Sequence, residues 1–483
     1  MNDNVAIKRG FYYKAFDIYG GLAGLYEYGP IAVRIRENIK KIWRWYFIDY
    51  IEGIEIESVE LGPEIVFKAS QHIASFTDPI VICKTCNTPY RADKLLEEFF
   101  EKRGLAKEAD EIKKMNDSEI EKLIKENNIK CEKCGGELSK VDRFNLMFKT
   151  NIGYNNIAYL RPETAQNIFV DFIYLYKVNA LKLPVGIGQI GHSFRNEISP
   201  RQELVRMRNF TQMELELFFD PDSDQKQFRD INLDFLDNYE LNIMEPNDEK
   251  PKMKSINELL DNNVIPNRYF AFILYIEDKF LRELGFSQDV YRYRVLNKEE
   301  LPHYSGGNID LEIKTRYGYI ECAGNAYRKD FDLKQHSLFS NKELMVNENG
   351  RKFIPHVIEP SIGLDRIFFA LLENNFVDDG RGWQYLRLNE DLAPYKYAIF
   401  PLQKDDKLIE KAKDIFNMMQ FRHISSYYSD SGSIGKRYAK ADEIGVPYDI
   451  TIDYQTLEDN TVTIRNRDDA KQKRIKVNNL FIR

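Results

Sequence analysis

The chain has few of the residues on which nucleophilic and redox enzymes depend. Its 483 residues include five cysteines, six histidines and three tryptophans, and these histidines and cysteines form no pattern typical of a catalytic triad. No apolar run is long enough to span a bilayer, and the N-terminal sequence MNDNVAIKRGFYYK lacks the apolar core of a signal peptide. We therefore expect a cytoplasmic chain without a membrane partner, and a chemistry that needs no protein nucleophile.

The chain also lacks an excess of positive charge. Its net charge of −7 is unusual for a protein that binds nucleic acid, although a local basic surface is enough for phosphate contacts. A solvated charged face is the simpler interpretation of the basic residues near the C-terminus, which are Lys436, Arg437, Lys440, Arg465, Arg467, Lys471, Lys473, Arg474 and Lys476. Charge alone does not decide between the two.

The length and the aromatic content predict several well-filled cores. A chain of this length exceeds one core, so two or three domains are expected, and 29 Tyr with 31 Phe argue against disorder. Residues 31–50 have helical spacing, whereas IEIESVELGPEIVF reads as an edge strand because Pro63 cannot donate to a ladder. Few later strands are joined by crossover helices, which predicts a mainly antiparallel sheet. From Pro394 the pattern alternates between strand and helix, as in a separate α/β domain.

Two CxxC pairs flank a stretch rich in Lys and Glu. Four thiolates from Cys83, Cys86, Cys131 and Cys134 would complete a closed tetrahedral site, which is typical of structural zinc. Disulfides are the weaker interpretation in a reducing compartment, and four unligated thiols are the remaining alternative. A second polar, acidic stretch, from 220 to about 285, interrupts the main domain.

The segment from Tyr159 to Phe219 places five arginines among five glutamates within about sixty residues. Placing FRNE on a strand would put Arg195 and Glu197 on one face, where an arginine can clamp a phosphate and a glutamate can bind an adenine amino group. Phe210 could stack on that base. In EPSIGLDR a strand passes through Gly363 into a helix, and Arg366 near the helix start offers a second cation. On its own, an Arg and a Glu two residues apart are often only a surface ion pair.

Taken together, these motifs resemble those of the glycyl-tRNA synthetases of the dimeric, archaeal and eukaryotic kind, which are class II aminoacyl-tRNA synthetases. LGPEIVFKASQH with RADKLL resembles the first class II motif, with Pro63 near a dimer interface. YLRPETAQ, QIGHSFRNEISPR and FTQMELELFF resemble the second motif and the glycine site, and IECAGNAYRKDFDL with VIEPSIGLDR resembles the third motif and the strand before it. The sequence from IGKRYAKADEIG to TVTIRNRDDAKQKRI resembles the anticodon-binding domain. The likeness covers nearly the whole chain.

The resemblance implies a role for each matching residue. Arg195 would hold the ATP α-phosphate and Arg366 the γ-phosphate, while Glu197 and Phe210 would hold the adenine; Arg195, Glu197 and Arg366 are the catalytic candidates. Further ATP contacts would come from Asn196, Val205, Arg206, Met207, Arg208, Asn209, Glu321, Cys322, Gly363, Leu364 and Asp365, with Glu321 as a Mg²⁺ ligand. Glycine would be bound by Arg91, Glu163, Phe210, Thr211, Gln212, Met213, Glu214, Arg328, Glu359, Pro360, Ser361, Ile362 and Gly363. Asp365 stands where many class II enzymes have glycine, and the paired CxxC is not universal in the family.

These implications give an expected fold and function. The fold class is α+β, with a class II antiparallel sheet flanked by helices, a C-terminal α/β anticodon-binding domain and a zinc-type insertion. The expected divisions are 1–82 and 135–392 for the catalytic domain, 83–134 for the insertion and 393–483 for the anticodon domain. The expected function is ligation of glycine to tRNA(Gly) by a homodimer that uses ATP with Mg²⁺. A non-catalytic accessory subunit of the same fold, or a class II enzyme for threonine, proline or histidine, remains the alternative.

Overall fold

Helices of the protein alternate along the chain with strands of several β-sheets. The computed structural model describes residues 3–105, 111–112, 115–198, 200, 202–297, 306–348, 350–378, 380 and 382–481. The α-helices with assigned bounds in these ranges are α1 (Asp3–Lys8), α2 (Pro30–Arg44), α3 (Glu64–Ala69), α4 (His72–Ser75), α5 (Ala92–Glu101), α6 (Asp117–Glu126), α7 (Ala165–Val178), α8 (Ile256–Asp261), α9 (Arg268–Glu283), α10 (Phe331–Ser340), α11 (Leu364–Asn375), α12 (Asp406–Phe421), α13 (Ile434–Glu443) and α14 (Tyr454–Asp459). Within the described ranges, none of them has the length and apolar character needed to cross a bilayer.

The strands form one large sheet, one medium sheet and several small ones. They are β1 (Tyr12–Lys14), β2 (Tyr26–Tyr28), β3 (Ile54–Ile56), β4 (Leu61–Pro63), β5 (Thr77–Ile82), β6 (Pro89–Arg91), β7 (Asp142–Asn145), β8 (Lys149–Ile152), β9 (Asn156–Leu160), β10 (Val185–Phe194), β11 (Asn209–Phe219), β12 (Gln227–Phe228), β13 (Ile231–Asn232), β14 (Glu240–Met244), β15 (Lys252–Ser255), β16 (Tyr291–Val295), β17 (Asn308–Thr315), β18 (Gly318–Lys329), β19 (Val346–Glu348), β20 (Arg351–Phe353), β21 (His356–Gly363), β22 (Phe376–Asp378), β23 (Gln384–Leu386), β24 (Tyr397–Pro401), β25 (Ser426–Tyr428), β26 (Tyr448–Ile452), β27 (Thr461–Asn466) and β28 (Gln472–Lys476).

The large sheet has nine strands in the order β15-β14-β16-β17-β18-β21-β11-β10-β3. Its pairs are antiparallel except for β10 with β3 and β14 with β16, which confirms the prediction of a mainly antiparallel sheet. The sequence of β11 shows how the two faces of this sheet differ. Its apolar residues Met213, Leu215 and Leu217 are fully buried in the main core, and the intervening polar residues lie on the other face because side chains alternate along a strand.

The predicted edge strand around Pro63 is correct in part. β3 lies at one edge of the large sheet, and β4 lies at the edge of a small sheet in the order β4-β9-β8. The chain then turns into α3 instead of remaining extended, with Pro63 as the residue before the helix. Pro63 fits this position because it needs no donor on the open side of β4 and its φ of −69° leads into the helix.

The polar stretch from 220 to 285 is not a separate insertion. Its strands β14 and β15 extend the large sheet at the far edge. Its helix α9 buries Phe270, Ile273 and Phe280 in the main core, beside residues from α2 and α11. The interpretation as an interruption was wrong because the polar residues of this stretch are concentrated in loops, whereas its apolar residues complete the main core.

The CxxC-flanked stretch has a small core of its own. Its helices α5 and α6 pack with β5 and β6 through residues that include Val81, Leu96, Ile120 and Ile124. Asn116 caps α6 through a reciprocal box with Glu119, which defines where that helix begins. A core this small needs a further constraint to hold its shape.

The C-terminal unit is an α/β sheet of five strands in the order β25-β24-β26-β27-β28, as predicted from the alternating pattern. Buried polar residues of this unit form hydrogen bonds with residues that precede it in the chain. The indole Nε1 of Trp383, in the loop before β23, donates to Asp442 over 3.0 Å, and the Arg465 guanidinium donates two bonds to the same carboxylate. Arg467, itself buried, donates to the carbonyl oxygens of Leu388 and Gly445 over 2.9 and 3.0 Å.

The basic C-terminal residues therefore do not form a single solvated face. Arg437, Arg465 and Arg467 are buried and bonded within the protein, which corrects the simpler interpretation for these three. Their guanidinium groups cap carbonyls and carboxylates between secondary-structure elements. The exposed cations of this group are Lys436, Lys440, Lys471, Lys473 and Lys476.

Candidate active site

A cavity of about 230 Å³ opens on the polar face of the large sheet. Strands β11, β18 and β21 form its floor, and the loop that includes the short turn Glu203–Val205 forms one wall. Sixteen of the predicted ligand residues line it: Glu163, Arg195, Glu197, Val205, Arg206, Met207, Phe210, Gln212, Glu214, Glu321, Cys322, Glu359, Ser361, Gly363, Asp365 and Arg366.

One end of the cavity carries the first arginine, with an aromatic ring beside it. The guanidinium carbon of Arg195 lies 5.2 Å from the centroid of the Phe210 ring, and Nε donates to the carbonyl of Pro162 over 3.3 Å. The placement of FRNE on a strand was wrong, because β10 ends at Phe194 and residues 195–197 follow it as a loop. Arg195 nevertheless lies beside the strand through a backbone bond to the carbonyl of Arg208.

The second arginine reaches the same end from α11. Arg366 is the third residue of that helix, and its guanidinium donates to the carbonyls of Val205 and Glu321 over 2.9 and 2.6 Å. The Glu321 carboxylate lies 3.6 Å away. The passage of β21 through Gly363 into α11 confirms the strand-to-helix junction predicted there. Two guanidinium groups fixed in this way make an anion-binding end.

The other end of the cavity carries carboxylates. In the register of β11 and β21, Gln212 pairs with Gly363, Glu214 with Ser361 and Leu217 with Ile358. Glu214 and Glu359 are therefore displaced along the strands from the arginine end, and the five residues from Gln212 to Glu216 span about 13 Å at the usual strand rise. The cavity has a cationic end and an anionic end.

Glu359 is the most constrained of these carboxylates. It accepts a bond of 2.8 Å from Arg328, whose guanidinium also donates two bonds to Asp332. Burial raises the pKa of Glu359 to about 8; Arg328 opposes the rise, and Glu214 and Glu163 reinforce it. A buried carboxyl poised near neutrality is typical of a site that awaits a cation.

The remaining pocket glutamates have different environments. Burial and the charge of Glu163 raise the pKa of Glu214, which accepts a hydrogen bond from the Thr164 hydroxyl. Burial alone would also raise the pKa of Glu163, but His72 and Arg328 lower it below its usual range. The Nε2 atom of His72 is 3.4 Å from the Glu163 carboxylate. Glu163 is thus the charged member, and the others retain affinity for a proton or an ammonium group.

Asp365 lines the cavity, and its carboxylate is hydrogen-bonded to other residues of the protein. Its carboxylate accepts bonds from the Tyr28 hydroxyl, from Arg36 over 2.6 Å and from the backbone N–H of Thr211 over 2.6 Å. These bonds tie β2, α2 and β11 to the start of α11. Asp365 thus has a structural role next to Arg366, and its contact with ATP stays a prediction.

Several predicted ligand residues do not line the cavity. Met213, Ile362 and Leu364 pack in the main core, and Thr211 and Pro360 are buried without lining the cavity. Arg91 forms ion pairs with Asp78 and Asp93 and lines a neighbouring depression. Arg208 donates to the carbonyls of Glu197 and Ala23, while Asn196, Asn209 and Arg328 lie outside the cavity wall. Arg328 acts through Glu359, as described above.

The sequence analysis missed Asp310 and Asn308 on β17, which also line the cavity. Burial and the charge of Glu321 raise the pKa of Asp310 to about 7. A signal was present, because NIDLEI alternates polar with apolar residues and so places Asn308, Asp310 and Glu312 on one face. Asp310 and Glu321 together give the cationic end a pair of carboxylates.

The four CxxC cysteines meet in one cluster. Sγ of Cys83 is 3.5 Å from that of Cys134, Sγ of Cys86 is 3.6 Å from that of Cys131, and all four lie within 4.8 Å of one another. Tetrahedral zinc with bonds of about 2.3 Å separates sulfur atoms by about 3.8 Å, whereas a disulfide requires about 2 Å. Donor set and spacing fit a closed metal site. Cys322, the fifth cysteine, is buried on β18.

Comparison with known proteins places this geometry in context. The model "tRNA synthetase class II core domain (G, H, P, S and T)" matches residues 148–375, and the model "Anticodon binding domain" matches residues 396–482. A solved structure of prolyl-tRNA synthetase from Giardia lamblia in complex with prolyl-adenylate superposes with a TM-score of 0.61 at 14% identity, covering 99% of this chain and 73% of that one. This likeness shows the fold.

Curated relatives match over nearly their whole length. The glycine–tRNA ligase of Pyrococcus horikoshii is 36% identical, covering 98% of this chain and 95% of that protein. That of Pyrococcus abyssi is 37% identical over 97% of this chain and 95% of its own length, and that of Methanocaldococcus jannaschii is 36% identical over 99% and 96%. The chain belongs to the glycine–tRNA ligase family of class II aminoacyl-tRNA synthetases.

Proposed function

We propose that this chain activates glycine with ATP and transfers the glycyl group to the 3′ end of tRNA(Gly). The observation that carries the proposal is the two-ended cavity, with Arg195 and Arg366 at one end and Glu163, Glu214 and Glu359 at the other. The first end suits a polyphosphate and the second an ammonium group, and adenylate formation requires both in one site.

At the cationic end, we assign Arg195 to the α-phosphate and Arg366 to the γ-phosphate. Phe210, next to the Arg195 guanidinium, would stack on the adenine, and Glu197 would accept a bond from its amino group. Adenylate formation proceeds by attack of the glycine carboxylate on the α-phosphorus, with pyrophosphate leaving. The chain contributes by positioning the reactants and stabilising charge, since no covalent protein intermediate is needed.

The carboxylates at the anionic end would hold glycine through its ammonium group. Glu359 and Glu214 approach each other within 4.8 Å, and Ser361 receives a bond of 2.9 Å from Gln212 between them and the phosphate end. A pocket this crowded with side chains favours the smallest amino acid, because a Cβ substituent would displace them. Rejection of larger amino acids by size needs no editing domain.

Mg²⁺ with ATP fits beside the arginines, where Glu321 was the predicted ligand. Asp310 supplies a second carboxylate, and hard divalent cations prefer such oxygen ligands. The ion would neutralise phosphate charge when bound. Glu321 extends half exposed toward the cavity and remains available to it.

The proposal also covers the oligomeric state and the domain division of the chain. We infer a homodimer that uses the region around Pro63, where Val59, Leu61 and Ile65 are exposed apolar residues. We also retain the division into catalytic segments 1–82 and 135–392, an insertion at 83–134 and an anticodon-binding unit at 393–483. The exposed lysines of that last unit are the candidates for contacts with tRNA phosphates.

Glycine-dependent exchange of pyrophosphate into ATP tests the function directly. We expect exchange with glycine at least about 100-fold above that with alanine, serine or proline at equal concentration, because the pocket excludes side chains. Charging of tRNA(Gly) should follow the same preference. Exchange dependent on proline, threonine or histidine would assign a different class II enzyme, and no exchange with any amino acid would favour a non-catalytic accessory subunit.

We further propose that the four-cysteine cluster holds zinc and stabilises the insertion. Elemental analysis should find one zinc per chain, and Cys83→Ser should lower that content. The variant should also lose amide-exchange protection by about 100-fold or more within residues 83–134, because the small core there loses its cross-link.

Cys322→Ser is the matched control for zinc content, since Cys322 lies apart from the cluster on β18. It should retain the metal. Full zinc content in Cys83→Ser, or unchanged protection after chelation, would contradict the structural role.

A further inference from the structure

Glu216 is a buried carboxyl without a partner, and the mechanism above does not use it. Its side chain is fully buried, and neither carboxylate oxygen accepts a hydrogen bond from the described part of the chain. Removing a carboxylate from water without hydrogen bonds is so costly that such a group takes up a proton, binds a cation or both.

The position of Glu216 on β11 shows what it faces. Phe210, Gln212, Glu214, Glu216 and Phe218 share one face of that strand, in this order from the cationic end of the cavity. Phe218 stacks on Phe172 with ring centroids 4.0 Å apart, so the surroundings become apolar directly beyond Glu216. Glu216 is therefore buried just beyond the cavity lining, between Glu214 and an apolar core.

Toward the cavity, Glu216 meets other carboxylates. Its oxygens lie within 4.8 Å of those of Glu214 and Glu359, and all three side chains are buried. Arg328 on β18, a cation that interacts with Glu216, is bonded to Glu359 and to Asp332 on α10. Three ionised carboxylates at this distance, next to a guanidinium already bonded to two acids, would repel one another strongly.

We propose that Glu216 carries its proton at neutral pH and positions Glu214 and Glu359 for the substrate ammonium group. It is a positioning residue, because its effect on glycine passes through these two neighbours. As a neutral acid it removes one negative charge from the cluster and offers an O–H donor to whichever carboxylate moves toward it. Burial and the charges of Glu359 and Glu214 raise the pKa of Glu216 well above its usual range, against the influence of Arg328, which agrees with this role.

The proposal deepens the proposed function and rests on it for its kinetic part. Glu216→Gln keeps the volume and a donor but cannot ionise, so its KM for glycine should stay within about threefold of the native value. Glu216→Leu removes the donor and should raise the KM for glycine by about tenfold or more, with the KM for ATP unchanged. Glu359→Gln is the matched control, since the same amide replacement at a residue in contact with the ammonium group should not be tolerated.

Two outcomes would overturn the proposal. If Glu216→Gln raises the KM for glycine as much as Glu359→Gln does, Glu216 is ionised and binds the ammonium group directly. If Glu216→Leu has a native KM, Glu216 positions nothing. Should Glu216→Leu fail to fold, the comparison of the two glutamine variants still decides between a neutral and an ionised Glu216.

A spectroscopic measurement separates this proposal from the function itself. At about pH 9, above the pKa of about 8 at Glu359, the infrared spectrum of the substrate-free chain should retain a protonated-carboxyl band from Glu216. The band should disappear in Glu216→Gln and persist in Glu359→Gln. Its absence from the native chain would refute the proton on Glu216 even if glycine activation is normal, whereas its presence without activation would instead count against the function.

Discussion

Arg195→Ala is expected to lower kcat/KM for glycine-dependent pyrophosphate exchange by about 100- to 1,000-fold, as loss of a preorganised charge at a reacting centre usually does. The Arg195 guanidinium faces the cavity beside Phe210 and is held on its outer side by the Pro162 carbonyl. It therefore lies where the proposed function requires a cation for an α-phosphate oxygen. Steady-state exchange with separate titration of ATP and glycine measures the effect.

Arg195→Lys should recover a small part of this loss, because an ammonium group keeps the charge but cannot form two parallel bonds. Arg44→Ala is a matched control, since the Arg44 guanidinium binds Glu55 at the protein surface and should leave exchange unchanged. Native thermal unfolding of Arg195→Ala would show that the loss is catalytic. A folded variant that keeps its activity within about tenfold would contradict the assignment of Arg195 to the reacting phosphate.

Above about pH 8, where Glu359 is ionised, Glu359→Gln should raise the KM for glycine by about 10- to 100-fold and leave the KM for ATP nearly unchanged, because a hydrogen bond between charged groups is lost from a buried site. Ser361→Ala should have the same selectivity with a smaller effect, about threefold to tenfold, as expected for a neutral hydrogen bond. Both residues lie at the carboxylate end of the cavity, displaced along β21 from the arginines. Equal increases in the two KM values would contradict the assignment of this end to glycine.

The pH dependence provides a second measurement on Glu359. Its raised pKa of about 8 means that the carboxyl is neutral below that value and ionised above it. Because the ionised form attracts an ammonium group, the KM for glycine of the native chain should fall as the pH rises through about 8. Burial is the main cause of this raised pKa; the charge of Arg328 lowers it, and those of Glu214, Glu163 and Asp332 raise it. Glu359→Gln should lose the dependence.

Local sequence patterns predicted much of the site because they depend on short-range geometry. Strand periodicity was enough to put Gln212 and Glu214 on one face, and the Gly363 junction was enough to predict a helix start with Arg366 near it. Where the periodicity was ignored, the predicted ligand residues do not line the cavity. Met213 and Ile362 were taken as ligands from contiguous motifs, although alternation directs their side chains into the core.

Other features of the site depend on residues far apart in the chain. Asp365 is bonded to Tyr28 and Arg36, which precede it by 337 and 329 positions, and no local pattern links the three. Arg91 was expected at the glycine site, but its guanidinium is bound by Asp78 and Asp93, and the competing carboxylate on β5 could be identified only from the folded arrangement. The sequence also could not predict that Glu216 lacks a hydrogen-bond partner in the described part of the chain. A glutamate in a strand sequence does not show which side chains will lie near it in the fold.

The bonds that join the C-terminal unit to the rest of the chain limit how this protein can be re-engineered. Trp383 and Leu388, on the catalytic side, depend on Asp442 and Arg467, and Asp442 in turn depends on Arg465. A graft of the last ninety or so residues from a relative would leave buried charges and an indole N–H unmatched unless these side chains travelled with it. A chimera between relatives should therefore keep Trp383 and Asp442 from the same parent. The anticodon-binding unit cannot be exchanged alone without loss of these bonds.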